Sequence, residues 1–430
     1  MIKISKEANP NYLAKVVKLK NLQKHQNADR LQTVVIDFQT VITGLNAIEG
    51  DLYVYFPVEC KINKDFLSFT NSFREKTLNK DQEKVGFFEE SGRVKAMKLR
   101  GEKSCGYIVP IKTVDDFTGN SLENFVDQEF DTVGDIKMLE KFVVKERGSN
   151  NSKQGKQPKV SRLIEGQVHL HCDTENLRKN SFKIKPSNLI SVTYKTHGTS
   201  FWVSNVLVKK NLTWFEKLLK RFGVNVVDTE YDLVYGSRKV VKNQSLDDPK
   251  AKDHFFGYDL WEDIKNEIGQ FIPKGVSLYG ECLGFDKNGK YIQGDYDYGC
   301  EQGKFKLEIY RITQTSPDGL VTEFSYPQIE EFCYKVGLTP SHLFYYGKAV
   351  DMYKLDVNGH WNEEFVKSLE RDYNEKNCFM CKNSVPEEGI VVRKESLFNC
   401  ESYKLKSFAF LEKESKDLDK GEINIEDNQE

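Results

Sequence analysis

Apolar and polar positions alternate in short runs over the first third of the chain. Leu13–Leu19, Leu31–Phe38, Asp51–Phe56 and Val94–Leu99 each read as a strand flanked by turn-forming residues. Helical periodicity is scarce there, so residues 1–145 are expected to form a small β-barrel or sandwich. The stretch RGSNNSKQGKQP (147–158) has no periodicity and is rich in polar residues and glycine, which predicts a linker at 146–160. Beyond it, strand-like runs at Leu189–Tyr194, Val276–Tyr279, Lys304–Ile312, Gly389–Lys394 and Ser402–Lys406 interleave with amphipathic stretches. Trp214–Phe222 stops at Gly223, and a second helix starts at Ser325 with Pro327 in its first turn. A third, Asn362–Tyr373, lines up Phe365, Leu369 and Tyr373 on one face. Strands and helices without a regular βαβ rhythm predict an α+β domain with antiparallel sheets over 161–411.

Composition narrows the class. The 430 residues suggest two to three domains, and 39% hydrophobic with 12% aromatic content is enough to fill their cores. No run approaches the roughly 18–20 apolar residues of a membrane span, and the first residues lack a secretory pattern. A cytoplasmic protein with no membrane partner is expected. Nine cysteines, an odd number, fit free thiols in a reducing compartment. The single C-x-x-C, Cys378–Cys381, lacks the second pair or histidines of a zinc site, so two free thiols are the preferred reading. Net charge is -2, but residues 412–430 carry eight acids and three lysines and are expected to form a disordered tail. The other 411 residues then hold +3. A near-neutral total therefore does not exclude a nucleic-acid partner.

Candidate chemistry lies at strand ends. Lys195-Thr-His-Gly198 follows a strand, and the glycine would let backbone approach a ligand. Lys404 and Lys406, at i and i+2, would share one strand face, where two ammoniums are stable only around an anion. Glu281 and Glu388 sit beside glycines at expected strand ends. Each feature alone also fits a solvated turn. Together they predict a pocket for a nucleotide phosphate and a divalent metal. His169 and His171 would share a strand face, with packing or substrate contact favoured over metal binding. Lys18, Lys20, Lys24, Arg30, Lys95, Lys98 and Arg100 would form either a phosphate-contacting surface or a solvated face.

The order of these segments resembles a known family. KTHGTS (195–200), GSR (236–238), YGE (279–281), IYR (309–311), EGI (388–390) and KLK (404–406) follow the motif order of the covalent nucleotidyltransferases: RNA ligases, DNA ligases and capping enzymes. The Lys-x-His-Gly-Thr start is most similar to ATP-dependent RNA ligases that seal nicks in duplex RNA. Only 24 residues follow Lys406, too few for the C-terminal OB domain of DNA ligases and capping enzymes. His25-Gln-Asn-Ala-Asp-Arg-Leu31, with KAMKLRG (95–101) and SCG (104–106), resembles OB modules that bind tRNA. An N-terminal OB module before the ligase core is the arrangement of the Deinococcus-type RNA ligase clade.

That resemblance, spanning residues 10 to 411, implies roles. Lys195 would attack ATP and carry AMP, which then passes to a 5′-phosphate before a 3′-OH seals the break. Glu281 would accept a hydrogen bond from the ribose, Tyr310 would stack on adenine, and Gly198 would border the nucleotide. Glu388 would hold Mg2+ or Mn2+, Lys404 and Lys406 would act on the α-phosphate, and Arg238 would grip the nucleotide and later the 5′-phosphate. Ser200 stands where relatives often have Asn. His197 is expected to be structural. The long interval from Lys195 to Arg238 is expected to hold an inserted helix around Trp214–Phe222, whose plainest role is core packing. A monomer acting on RNA, as a nicked duplex or an RNA/DNA hybrid, is implied; the alternatives are a DNA ligase, a GTP-using capping enzyme or an inactive RNA- or tRNA-binding protein.

Overall fold

The computed structural model describes residues 1–144, 162–242, 256–373 and 375–422. The linker expected at 146–160 lies outside the described residues.

In the N-terminal module β1 (Ala14–Lys18), β2 (Leu31–Ile36), β3 (Gln39–Gly44), β4 (Leu52–Phe56), β5 (Ala96–Leu99), β6 (Glu102–Cys105) and β7 (Tyr107–Pro110) form short antiparallel sheets. β4 is central, pairing with β1 on one side and β7 on the other. β2 and β3 form a hairpin whose two loop residues, Asp37 and Phe38, both have positive φ, the backbone a tight hairpin loop requires. Val16, Val54, Phe56 and Phe66 are fully buried in one core. Two helices, α1 (Lys64–Phe69) and α2 (Ile111–Thr118), complete the module. The HQNADRL segment serves as a staple: buried His25 meets Leu99 O through Nε2 at 3.1 Å, Asn27 N donates to His25 Nδ1, and Asn27 Nδ2 donates to Arg100 O. These bonds tie it to the β5–β6 hairpin.

The described residues of the second domain hold two sheets. In the first, β8 (Leu189–Lys195) lies between β13 (Leu343–Lys348) and β14 (Gly389–Lys394), with β15 (Glu401–Lys406) beyond β14. In the second, the order is β10 (Thr229–Gly236), β9 (Thr199–Lys209), β11 (Val276–Gly284), β12 (Phe305–Thr315). The main pairings are antiparallel, as expected. The Thr196-His197-Gly198 turn carries the chain from one sheet to the other. α6 (Trp361–Tyr373) covers the first sheet, packing Trp361, Phe365 and Leu369 in one core with Ile190, Val192 and Ile390. α4 (Leu260–Ile268) covers the second, packing Trp261 and Ile264 with Phe201, Val203 and Leu278. The remaining faces line a cleft. α5 (Tyr326–Val336) begins at Ser325 with a reciprocal Ser325–Gln328 cap, as the sequence suggested.

Two expectations are overturned. Residues 412–419 are helical: α7 (Phe408–Asp419) buries Phe408 and Leu411 in the N-terminal module's core. Arg93 bonds to Ser415 O and Asp419, and Lys95 lies 2.8 Å from Asp419. Of the acids that suggested a disordered tail, Asp419 is thus neutralised by partners more than 320 residues away in sequence, and Glu412 and Asp417 by lysines of the same stretch. Residues 423–430 lie outside the described residues. Second, α3 (Trp214–Arg221) does not pack into a core, for none of its residues is buried and Trp214 is 76% exposed.

Candidate functional site

The cleft spans about 1300 Å³ including its open mouth and is lined by both sheets, the N-terminal module and α7. Strand alternation decides which side chains enter it. Along β8, Ile190 and Val192 enter the core while Ser191, Thr193 and Lys195 face the cleft. Along β15, Tyr403 and Leu405 are buried and Lys404 and Lys406 face the cleft, the arrangement read from their spacing.

Glu388 meets Lys195 directly, Oε1 to Nζ at 2.8 Å, because Lys195 pairs with Gly389 across the β8–β14 ladder. Gly389 has φ of 142° and a Cβ there would lie 2.0 Å from Leu405 O, so only glycine fits this close approach of β14 to β15. Glu388 is 3% exposed. Burial opposes its charge, yet Lys195, His197 and Lys406 hold its carboxyl well below the ordinary range. Its Oε2 is buried without a hydrogen-bond donor, His197 Nδ1 standing 3.6 Å away.

The two lysines differ. Burial, reinforced by Lys406, Lys195 and Arg238 and opposed by Glu59, lowers the Lys404 pKa to about 8. Lys406 is half-buried, but Glu414 and Glu59 outweigh its desolvation and raise its pKa well above ordinary. Glu59, from the N-terminal module, lies 2.9 Å from Lys406 Nζ, and Glu414 of α7 lies 3.5 Å from it. Glu59 sits at φ of 65°, an uncommon backbone for a residue with a side chain.

On the opposite wall Glu281 stands mid-strand in β11, not at a strand end as expected. It faces Ser200 across the ladder, and Ser200 Oγ and Gly198 N both donate to its carboxylate at 3.2 Å. A side chain at Gly198 would collide with Cys282 O. Tyr310 is the extra residue of a β-bulge: Tyr279 pairs with Arg311 and Gly280 with Ile309. The bulge lets adjacent Tyr310 and Arg311 both line the cleft, Tyr310 OH meeting His171 Nδ1 at 2.9 Å. Arg238 bonds to Asp173 Oδ1 through Nε and Nη2, at 3.1 and 2.7 Å. The His169–His171 segment is irregular and not a strand, so the two rings part: His171 lines the cleft and His169 bonds to Gly166 O. His197 is held by its backbone, whose N–H donates to Tyr298 OH at 2.6 Å.

All the expected site residues therefore meet at one cleft, Gly198 on its wall through Glu281. Sequence reasoning missed Tyr12, Glu59, Lys141 and Glu414, which also line it. Nothing in their local sequence marks them. Among the described residues no group of three His, Cys, Asp or Glu side chains could hold a metal alone. A divalent ion would need ligand phosphates beside Glu388, whose donor-less buried oxygen fits that role. The expected basic surface of the N-terminal module is exposed at Lys18, Lys20, Lys24, Arg30, Lys98 and Arg100, while Lys95 is spent on Glu89 and Asp419. All nine cysteines are free thiols, and among the described residues no helix is long and apolar enough to cross a membrane.

A family model described as an OB-fold domain matches residues 13–111. The search of curated proteins found no match. Among solved structures, a mutant Naegleria gruberi RNA ligase with ATP and Mn aligns at a TM-score of 0.57 and 16% identity, covering 93% of this chain and 98% of that one. A mutant apo form of that ligase aligns at 0.57 and 14% identity, covering 94% and 99%, and the ligase with PPi at 0.55 and 15%, covering 94% and 99%. At such identities the likeness establishes architecture alone: the chain is an N-terminal OB-fold domain followed by a mixed α+β domain with antiparallel sheets, arranged as in those structures.

Proposed function

We propose that the protein is an ATP-dependent RNA ligase that works through a covalent lysyl-AMP intermediate and seals 3′-OH/5′-phosphate breaks in nicked duplex RNA or an RNA/DNA hybrid. The observation that carries this reading is the convergence of Lys195, Glu388, Lys404, Lys406, Glu281, Arg238 and Tyr310, drawn from more than 200 residues of sequence, on one cleft. In this reading Lys195 Nζ attacks the α-phosphorus, the P–N bond forms and the bond to the β-phosphate breaks, releasing pyrophosphate. An ammonium cannot attack, so Lys195 must lose its proton. Lys404 and Lys406 favour that loss and also meet the charge growing on the phosphate. Glu281 takes the ribose, Tyr310 offers its face to adenine, and Arg238 grips phosphate with a planar fork. Mg2+ or Mn2+ held by Glu388 and phosphate oxygens would neutralise charge on the reacting phosphate. The N-terminal OB arrangement fits the Deinococcus-type clade, and the enzyme is taken as a cytoplasmic monomer.

Substrate choice is tested with nicked duplexes that differ only in the sugar on the 3′-OH side. RNA there should support sealing. Equal sealing of an all-DNA nick would overturn the RNA assignment.

A further inference from the structure

Cys172 and Cys400 are separated by 228 residues yet meet at the cleft wall, where the Cys172 thiol donates to Cys400 O at 3.3 Å. Neither is fully buried, whereas Cys60, Cys105, Cys282 and Cys333 are. Cys172 sits between two residues that organise the site, His171 on Tyr310 OH and Asp173 on Arg238. Cys400 immediately precedes β15, which bears Lys404 and Lys406.

Resting on the proposed function, we infer that Cys172 and Cys400 form a reversible disulfide in the wall of the nucleotide cleft, a modification site through which a peroxide switches the cleft off. The chemistry closes with one peroxide. The Cys400 thiolate attacks a peroxide oxygen, forming S–O while O–O breaks and hydroxide leaves. The Cys172 sulfur then attacks the Cys400 sulfur, forming S–S while S–O breaks and a second hydroxide leaves. The two thiol protons convert both hydroxides to water, and two electrons pass from the sulfurs to the peroxide oxygens. Cys400 is the attacking thiol on two grounds. The neighbouring Cys172 thiol, against burial and with help from Arg311, brings its pKa below the ordinary thiol range. Cys172 is shifted upward by the neighbouring Cys400 thiol and by burial, so it stays a thiol until the second step.

Closure replaces the Cys172 contact with the Cys400 carbonyl by a covalent S–S of about 2 Å. The segment 171–173 must follow, and with it the anchors of Tyr310 and Arg238. Displacements of about 1 Å in a positioned site reduce rates roughly 100-fold, so at least a ~10-fold loss of lysyl-AMP formation is expected. Because both residues line the cleft, bound nucleotide should shield them.

The full-length protein is treated with hydrogen peroxide, with and without prior adenine nucleotide, alkylated without reductant and mapped by mass spectrometry. A cross-linked peptide pair containing Cys172 and Cys400 is expected, diminished by nucleotide, with activity restored by dithiothreitol. Each variant is compared with its own reduced form: Cys172→Ser and Cys400→Ser should keep their activity through peroxide treatment. Alkylation of both cysteines after peroxide would overturn the inference, as would a disulfide confined to Cys378–Cys381 or equal peroxide loss in Cys172→Ser. The peptide map needs no enzymatic activity. If reduced protein never forms lysyl-AMP, the proposed function fails while the map still decides the disulfide.

Discussion

At the residue scale, the contrast between Lys404 and Lys406 is the most informative feature. Both are half-buried on one strand face, but the carboxylates of Glu59 and Glu414 outweigh desolvation at Lys406, while Lys404 stays depressed to about 8. Between that value and 10.5 the folded protein binds fewer protons than the unfolded chain, so this lysine's contribution to stability rises with pH across that window and is unfavourable below it. An anion in the cleft should reverse the depression. At pH 8.5, binding of a non-hydrolysable ATP analogue is expected to take up most of one proton, read by calorimetry in buffers of different ionisation enthalpy. Lys404→Met should abolish the uptake; unchanged uptake in the variant would refute the assignment. The lysine pair was legible from spacing because a strand's two-residue period fixes which side chains share a face, and Glu388 from the glycine beside it and the order of the segments. Glu59 and Glu414 were not, since Glu59 becomes part of the site only by meeting Lys406, 347 residues away.

At the element scale, two helices reverse what their sequences suggested. α7 was hidden in an acidic stretch, and local charge said disorder because Arg93 and Lys95 are invisible from there. α3 has the apolar spacing of a packed helix, yet it leaves Trp214 and Phe222 each 76% exposed. Periodicity reports that a face is apolar and cannot report whether anything covers it. The two helices should answer substitution differently. Phe408→Ala, which opens a hole at the junction of α7 and the N-terminal core, should destabilise the protein by about 3 kcal/mol in chemical denaturation. Trp214→Ala should stay within about 0.5 kcal/mol of the parent. A large loss at Trp214 would mean that α3 is covered in solution. The Tyr310 bulge belongs to the same scale: the IYR motif located the residue, but only the β11–β12 register explains how adjacent Tyr310 and Arg311 both reach the cleft.

At the scale of the whole molecule, the modules are joined through chemistry as well as packing. The N-terminal module contributes Tyr12, Glu59 and Lys141 to the cleft, and α7 fills that module's core while carrying Glu414 to Lys406. Two domains were legible from the change in periodicity near residue 150; their shared site was not, because no local pattern encodes a contact between distant segments. The overall charge of -2 now has a structural meaning. Part of the acidic C-terminal stretch is consumed in holding α7 to the N-terminal module, and the cations of the cleft are local. The central claim is that this assembly exists to make Lys195 a nucleophile towards ATP. Incubation with α-labelled ATP and Mg2+ or Mn2+, followed by denaturing electrophoresis, tests it most directly. A covalent label is expected on the parent protein, absent from Lys195→Ala and displaced by pyrophosphate. No label with ATP, label with GTP instead, or label persisting in Lys195→Ala would contradict it.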